Sequence, residues 1–506
     1  MPQNGSLITF ENCEPTMPVD QEECEELEEK RICAGCICEA YLSSCVEAEG
    51  QEDECSFCDK ELACITLEDM ADRIEAAFET HYSRTSDEPN FYESMMLRDK
   101  ELDYDWERDG QQTVYAIMDA ANISEDIARD IQAILEYRHF DFEEATMGIE
   151  AEFSADAHYE EIMPRDEHWQ NEWDSFEKQI KTEARFFSRA AAAHLSALFD
   201  RIDEMRTADG RSLVEDAGPD TEIAHLYRGR VFQSEDPLRT AMQRPDLELS
   251  APPAWAAASG RMNAKGISVF YGATTPEIAL AEVRPPVGSS VALARFEIVR
   301  PLRLLDLAAL GDVLERGSIF DPDYAYRLGR MMFLRTLSRR MSRPVMPDDQ
   351  EMEYLPTQAI ADYLSTEGQI PLDGILFPSV QVGGNGVNAV LFHKASRCEE
   401  LEIPDDTEIT ARTYSMYEDG PEPDFSVSEK VPPVEDDCAE GDKDKNRSSF
   451  EFLGNDWNEW FDGDPREMTL RIDVESLCVH EVNAIQIDTQ SHSVRRHRFE
   501  KRDYDF

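Results

Sequence analysis

Residues 265–283 read KGISVFYGATTPEIALAEV, and the fold class turns on them. ISVFYGA alternates, is rich in β-branched and aromatic residues and closes on Gly272 and Ala273, so it predicts a strand. TTPEIALAEV predicts a helix start, with Thr275 as N-cap, Pro276 at the first helical position and Glu277 in the first turn. Pro285 and Pro286 stop that helix after about two turns. Glu282 lies three and four residues beyond Ala279 and Ile278, so it shares their apolar face. Packing alone gives a short inward-facing helix no reason to carry a carboxylate there.

The 506-residue chain is too long for one ordinary core, and its length predicts about three domains. Its 49 basic and 107 acidic residues give a formal charge of −58. Such a chain repels DNA and anionic membranes, so nucleic acid is not an expected partner, and the acid reads as solvated surface plus disordered tails. No run of about 18 apolar residues occurs, which predicts no membrane span. The N-terminal stretch lacks a basic-then-apolar leader pattern. The expectation is a soluble, cytoplasmic protein with reduced cysteines.

The pattern divides the chain into an acidic disordered lead (1–30), a cysteine-rich module (31–65) and a helical domain (66–207). TADGRSLVEDAGPD, residues 207–220, breaks the helical periodicity and reads as a boundary. Within 208–402 the strand candidates LYRGRVF, SVFYGA, SVALARFEI, LRLLDL, GILFPS and NAVLFHK alternate with short helices, as in a mixed α+β domain. Residues 403–466 read as an acidic flexible segment. Residues 467–506 alternate again and predict strands returning to the sheet.

Nine of the twelve cysteines precede residue 65. Cys33-x2-Cys36 and Cys55-x2-Cys58 stand eighteen residues apart, the spacing of paired zinc knuckles. Four thiolates close a tetrahedral site with no open position, so the expected zinc is structural. Cys38, Cys45 and Cys64 are spare candidates. RICAGCICEAYL, ECSFCDKELACITLEDMADRIEAAF and WDSFEKQIKTEARFF together resemble the HEPN/RES N-terminal domain. Arg189 and His194 have the Arg-to-His spacing of HEPN nucleases, but an ordinary amphipathic helix explains SRAAAAHL better.

Three ordered motifs, LYRGR (226–230), GRMNAKGISVFYGATTPEIALAEV (260–283) and YLPTQAIADYLSTEGQIPLDGILFPSVQVGGNGVNAVLF (354–392), resemble the RES family. Members of that family degrade NAD by phosphorolysis or hydrolysis, several as toxins paired with an antitoxin. The resemblance implies the split mixed sheet of ADP-ribosyl-transferring toxins. It implies Arg228, Glu282 and Ser379 as the catalytic Arg, Glu and Ser, and Tyr227 and Tyr271 as aromatic site residues, with Asn263 and Lys265 as further substrate contacts. Family members often have Trp where this chain has Met262.

The chemistry suits these residue types. Breaking the nicotinamide–ribose bond develops an oxocarbenium-like cation, and nicotinamide leaves neutral, so one carboxylate facing the ribose suffices. Arg228 would grip the pyrophosphate as a permanently charged fork, while Ser379 and the glycine-rich backbone after it would hold a phosphate. No dinucleotide-fold or P-loop glycine motif occurs, so NAD is expected as a consumed substrate, with phosphate as a co-substrate if the reaction is phosphorolytic. The alternatives are ADP-ribosyl transfer to a macromolecule and a non-catalytic, zinc-stapled interaction protein. An antitoxin or regulatory protein is the partner that the resemblance implies.

Overall fold

The 265–283 stretch folds into the strand and helix that its residue types predict, with the strand starting at Phe270 and not at Ile267. Phe270–Ala273 is a strand and Pro276–Glu282 a helix, with Pro276 in its first turn and the Thr275 side chain accepting from the Ile278 amide. These elements belong to a computed structural model that describes residues 19–99, 104–343, 345–368, 371–379, 381, 386–418, 420–432, 464–486 and 489–498. Residues 1–18 of the acidic lead, 433–463 of the acidic segment and the run 382–385 within the glycine-rich stretch lie outside the described residues. Among those described, no helix is long and apolar enough to cross a membrane.

The chain divides into two units, Met1–Trp173 with Leu314–Leu334, and Asp174–Val313 with Arg335–Phe506. The division therefore falls well before the expected boundary at 207–220. In the first unit, helices Leu67–His81, Thr113–Ala121 and Glu125–His139 share one core with the cysteine-rich region, joining Ile32, Leu42 and Val46 to Ile74, Ile117 and Ile131. The cysteine-rich stretch is thus not a separate module: it has too few apolar residues to bury a core of its own. The expected disordered lead also needs correcting, because Gln21–Glu29 is a helix capped by Asp20, with Cys24 buried in the same core.

The second unit carries an eight-stranded mixed sheet. Its strands are β1 (Val214–Ala217), β2 (His225–Phe232), β3 (Phe270–Ala273), β4 (Ser290–Ile298), β5 (Leu302–Asp306), β6 (Gly374–Pro378), β7 (Val387–Leu391) and β8 (Leu470–Glu481). Their order across the sheet is β8-β4-β2-β3-β7-β6-β5-β1. All six strand candidates of the 208–402 region are present. β5 and β6 run parallel, joined by a long crossover, while the other neighbours are antiparallel. β8 pairs with β4 along most of its length, from Ser290 opposite Glu481 to Ile298 opposite Leu470. The core on this sheet joins Leu226, Phe270, Phe296, Leu304, Leu376 and Leu391, the inward positions of alternating strands.

Two sequence expectations change here. Val214–Ala217, inside the stretch read as a boundary, is an edge strand against β5. Glu408–Tyr417 and Gly420–Lys430, inside the stretch read as flexible, pair as an antiparallel hairpin. That hairpin is tied to helix Glu235–Gln243 through the Gln243 amide on the Ile409 carbonyl (3.0 Å) and Arg239 on Thr413 (3.3 Å). Local alternation and these anchors outweigh an acidic composition.

Candidate active site and metal centre

The sheet parts between β2 and β3, which meet at a single register pair, Ala273 opposite Tyr227. Tyr271 consequently has no β2 ladder partner for its carbonyl. Arg228 reaches in from β2 and donates Nη1 to that oxygen at 3.2 Å, with its guanidinium 5.0 Å from the centre of the Phe270 ring. A cavity of about 250 Å³ opens at this point, lined by Tyr227, Arg228, Tyr271, Glu282, Phe377 and Asn388 among others. Its wall includes Gly229 and Gly272, and a Cβ on Gly272 would stand 2.8 Å from the Phe270 ring.

Glu282 is the last residue of its helix, which packs Ile278 and Ala279 against Ala273 and Leu293 of the sheet. A carboxylate at a helix C-terminus faces the negative end of the macrodipole, at a cost of about 0.3–1 kcal/mol. Two donors offset that cost. Ser379 Oγ and Asn388 Nδ2 each donate to Glu282 Oε1, both at 2.7 Å. Oε2 has no hydrogen-bond partner among the described residues. Ser379 also accepts from the Gln381 amide at 3.3 Å, so it forms a turn and holds the carboxylate at once.

Arg228 and Glu282 line the same cavity without pairing, and among the described residues neither has an ion-pair partner. An ion pair, the common structural reason for a charged side chain at a sheet edge or a helix end, therefore explains neither residue. Burial lowers the Arg228 pKa to about 10, with Arg230 adding to the effect and Tyr271 opposing it. The side chain is only half-buried overall, and it stays cationic at neutral pH.

Tyr271 is fixed from behind. Its hydroxyl donates to Asn263 Oδ1 at 2.9 Å and accepts from the Met262 amide at 3.1 Å, and burial pushes its pKa up to about 12. Asn263 is buried and spends its own amide on the carbonyls of Ala258, Ala264 and Ile267. Gln358 in turn donates to the Gly260 carbonyl at 2.8 Å, and Thr357 to the Arg261 carbonyl at 2.6 Å. Asn263 therefore holds the Tyr271 hydroxyl, and neither it nor the exposed Lys265 is among the residues that line the cavity. Asn388 was missed. Its signal was a polar residue of low β-propensity in the apolar run VNAVLF.

A Cβ at Gly260 would press directly on Asn263 Oδ1 and stand 2.7 Å from the Tyr271 hydroxyl. Gly260→Ala should thus break a buried hydrogen bond, worth on the order of 1–3 kcal/mol when its partners are left unsatisfied. Thermal unfolding should show a lower melting temperature, approached by Tyr271→Phe. An unshifted melt for Gly260→Ala would mean that the 260–263 turn yields freely.

Residues 233–413 match the family model described as RES domain. The match includes Glu282, Ser379 and Asn388 and begins just after LYRGR, which carries Tyr227 and Arg228. No curated protein and no solved structure matches the chain. The resemblance of the N-terminal region to the HEPN/RES N-terminal domain has no family match behind it. Arg189 begins helix Arg189–Leu198 on its exposed side, whereas His194 is buried with Ala191, Leu195 and Leu198, the pattern of an amphipathic helix.

The metal centre lies in the first unit. Strand Glu61–Thr66 is central in a three-stranded sheet, with Arg31–Cys33 on one side and Gln51–Glu54 on the other. This pairing brings both knuckles to one end. The Sγ atoms of Cys33, Cys36, Cys55 and Cys58 all lie within 4.8 Å of one another. Cys33 stands 3.7 Å from Cys36 and 3.6 Å from Cys58, and Cys36 stands 3.8 Å from Cys55. A tetrahedral zinc with bonds of about 2.3 Å requires sulfur–sulfur edges of about 3.8 Å. The four thiols are therefore compatible with structural zinc. Burial and the neighbouring thiols push Cys33 and Cys36 up, whereas at Cys55 the amides of Phe57, Cys33 and Cys58 outweigh burial and bring the thiol down to about 7. A cation would favour the thiolate at all four positions. Of the spare cysteines, Cys64 is buried and directs its thiol at the Asp53 carbonyl at 3.4 Å, outside the group of four.

Proposed function

We propose that this protein consumes NAD, breaking the nicotinamide–ribose bond in the cavity between Arg228 and Glu282. The observation that carries the reading is the pair of opposite charges that share this cavity without neutralising each other. A cation and a carboxylate kept apart suit a substrate with an anionic pyrophosphate at one end and a ribose that becomes cationic at the other. The RES match over 233–413 fits an NAD-related, toxin-type activity. The parting of β2 and β3 supports an ADP-ribosyltransferase-like reading of the sheet.

At about 250 Å³ the cavity is smaller than the ~300–1,000 Å³ of pockets that engulf a drug-sized ligand. The nicotinamide and its ribose would enter, and the adenosine half would remain at the mouth. Tyr271 and Tyr227 would pack against the nicotinamide, and Glu282 would face the ribose. Nicotinamide leaves with the electron pair of the broken bond, and phosphate or water then adds at the ribose carbon. Zinc on Cys33, Cys36, Cys55 and Cys58 would stabilise the first unit and take no part in the reaction. The protein would act in the cytoplasm as a toxin held by an antitoxin or regulatory partner.

The test is release of nicotinamide from NAD by the purified chain, with and without inorganic phosphate. ADP-ribose 1″-phosphate as product identifies a phosphorylase and free ADP-ribose a hydrolase. Label transferred to a protein or nucleic acid would identify a transferase. NAD bound but not consumed under any of these conditions would place the chain among non-catalytic proteins. Arg228→Ala should weaken NAD binding on the order of 10–100-fold in a direct titration, because the pyrophosphate loses a charge-assisted fork. An unchanged dissociation constant would remove Arg228 from that role.

A further inference from the structure

We propose that Asn388 is a positioning residue that, together with Ser379, locks Glu282 by one oxygen and leaves the other to face the substrate. The proposal rests on the NAD-consuming reading of this cavity, but its geometry does not. Both donors end on Oε1, at 2.7 Å each, and they come from different elements: Asn388 from the middle of the sheet, Ser379 from the turn after β6. Two donors on one oxygen fix the plane of the carboxylate, which a single donor does not.

Asn388 is built into the sheet where its side chain cannot wander. It is 3 % exposed and lies opposite Ala273 on β3 and Phe377 on β6, between the strand before the Glu282 helix and the strand before Ser379. Its amide nitrogen must be the atom toward Glu282, since the carbonyl oxygen there would face a carboxylate. The Ser379 hydroxyl proton is likewise committed to Glu282, so Ser379 cannot also donate that proton to a phosphate. The pair thus acts through Glu282, in contrast to the phosphate-holding role expected of Ser379 from the sequence.

Asn388→Leu keeps the volume in an apolar setting and removes the donor. Turnover of NAD should fall on the order of 10²-fold, the size of effect that misplacing a reacting group by about 1 Å produces. KM should stay within about threefold, and the melting temperature should fall only by the loss of one charge-assisted hydrogen bond. A packing role predicts unchanged turnover, and a direct substrate contact predicts a raised KM with kcat preserved; either result overturns the proposal.

A second measurement needs no activity. Asn388→Asp at neutral pH sets two carboxylates against each other that cannot both ionise comfortably, and it should lower the melting temperature. Adding Glu282→Gln restores a donor–acceptor pair and should recover most of that loss. Additive effects of the two substitutions would show that the contact does not exist and would overturn the proposal. An inert wild type together with a recovered melting temperature would refute the NAD reading while leaving the Asn388–Glu282 contact standing.

Discussion

Glu282→Gln is expected to keep the fold and most of the affinity for NAD and to lower the rate of nicotinamide release on the order of 10²–10³-fold. The substitution is close to a pure test of charge. The glutamine carbonyl can still accept from Ser379 and Asn388 as Oε1 does, and its amide takes the place of the oxygen that has no partner among the described residues. Only the negative charge opposite the developing ribosyl cation is lost. The ground state carries less positive charge at the ribose, so binding should change far less than turnover. Rates from single-turnover mixing, set beside dissociation constants from direct titration, separate the two. Turnover equal to wild type would remove Glu282 from the chemistry, and a loss of binding as large as the loss of rate would make it a substrate anchor.

Much of the fold and part of this site were legible in the sequence. Thr275, Pro276 and the alternation of ISVFYGA are local signals, and local signals fix a strand and a helix end without help from the rest of the chain. The four knuckle cysteines were legible because metal geometry imposes its spacing on the sequence. Asn388 was not, because its meaning lies in a contact with a residue 106 positions away, and taken alone it is a polar residue in a strand. Asn263 and Lys265 fall outside the cavity lining for the converse reason: nearness in sequence to Tyr271 says nothing about which side of that ring a residue occupies. The hairpin 408–430 and the helix 21–29 were hidden by composition. Acidic residues on an exposed face do not prevent an element from forming when a few positions, Cys24 in one and Thr413 in the other, are buried.

Cys55→Ser with Cys58→Ser is expected to abolish metal binding and to unfold a large part of the first unit. The wild-type chain, purified without added metal, should carry about one equivalent of zinc by elemental analysis. Apparent binding energies at such sites are about 10–16 kcal/mol at neutral pH. That is comparable to the ~5–15 kcal/mol that holds a typical domain together, so little of the fold near the site should survive its loss. The damage should spread because the knuckles are continuous with the core. Cys33 ends a strand whose Ile32 packs with Leu42 and Val46, and Cys55 is itself fully buried. Cys38→Ser, which removes an exposed thiol outside the cluster, should leave both metal content and stability unchanged and serves as the control. Hydrogen exchange read by peptide should show lost protection over 31–81 in the double variant, with the strands of the eight-stranded sheet retaining theirs. Metal-free wild-type protein that melts at the same temperature as zinc-loaded protein would refute a structural role for the four cysteines.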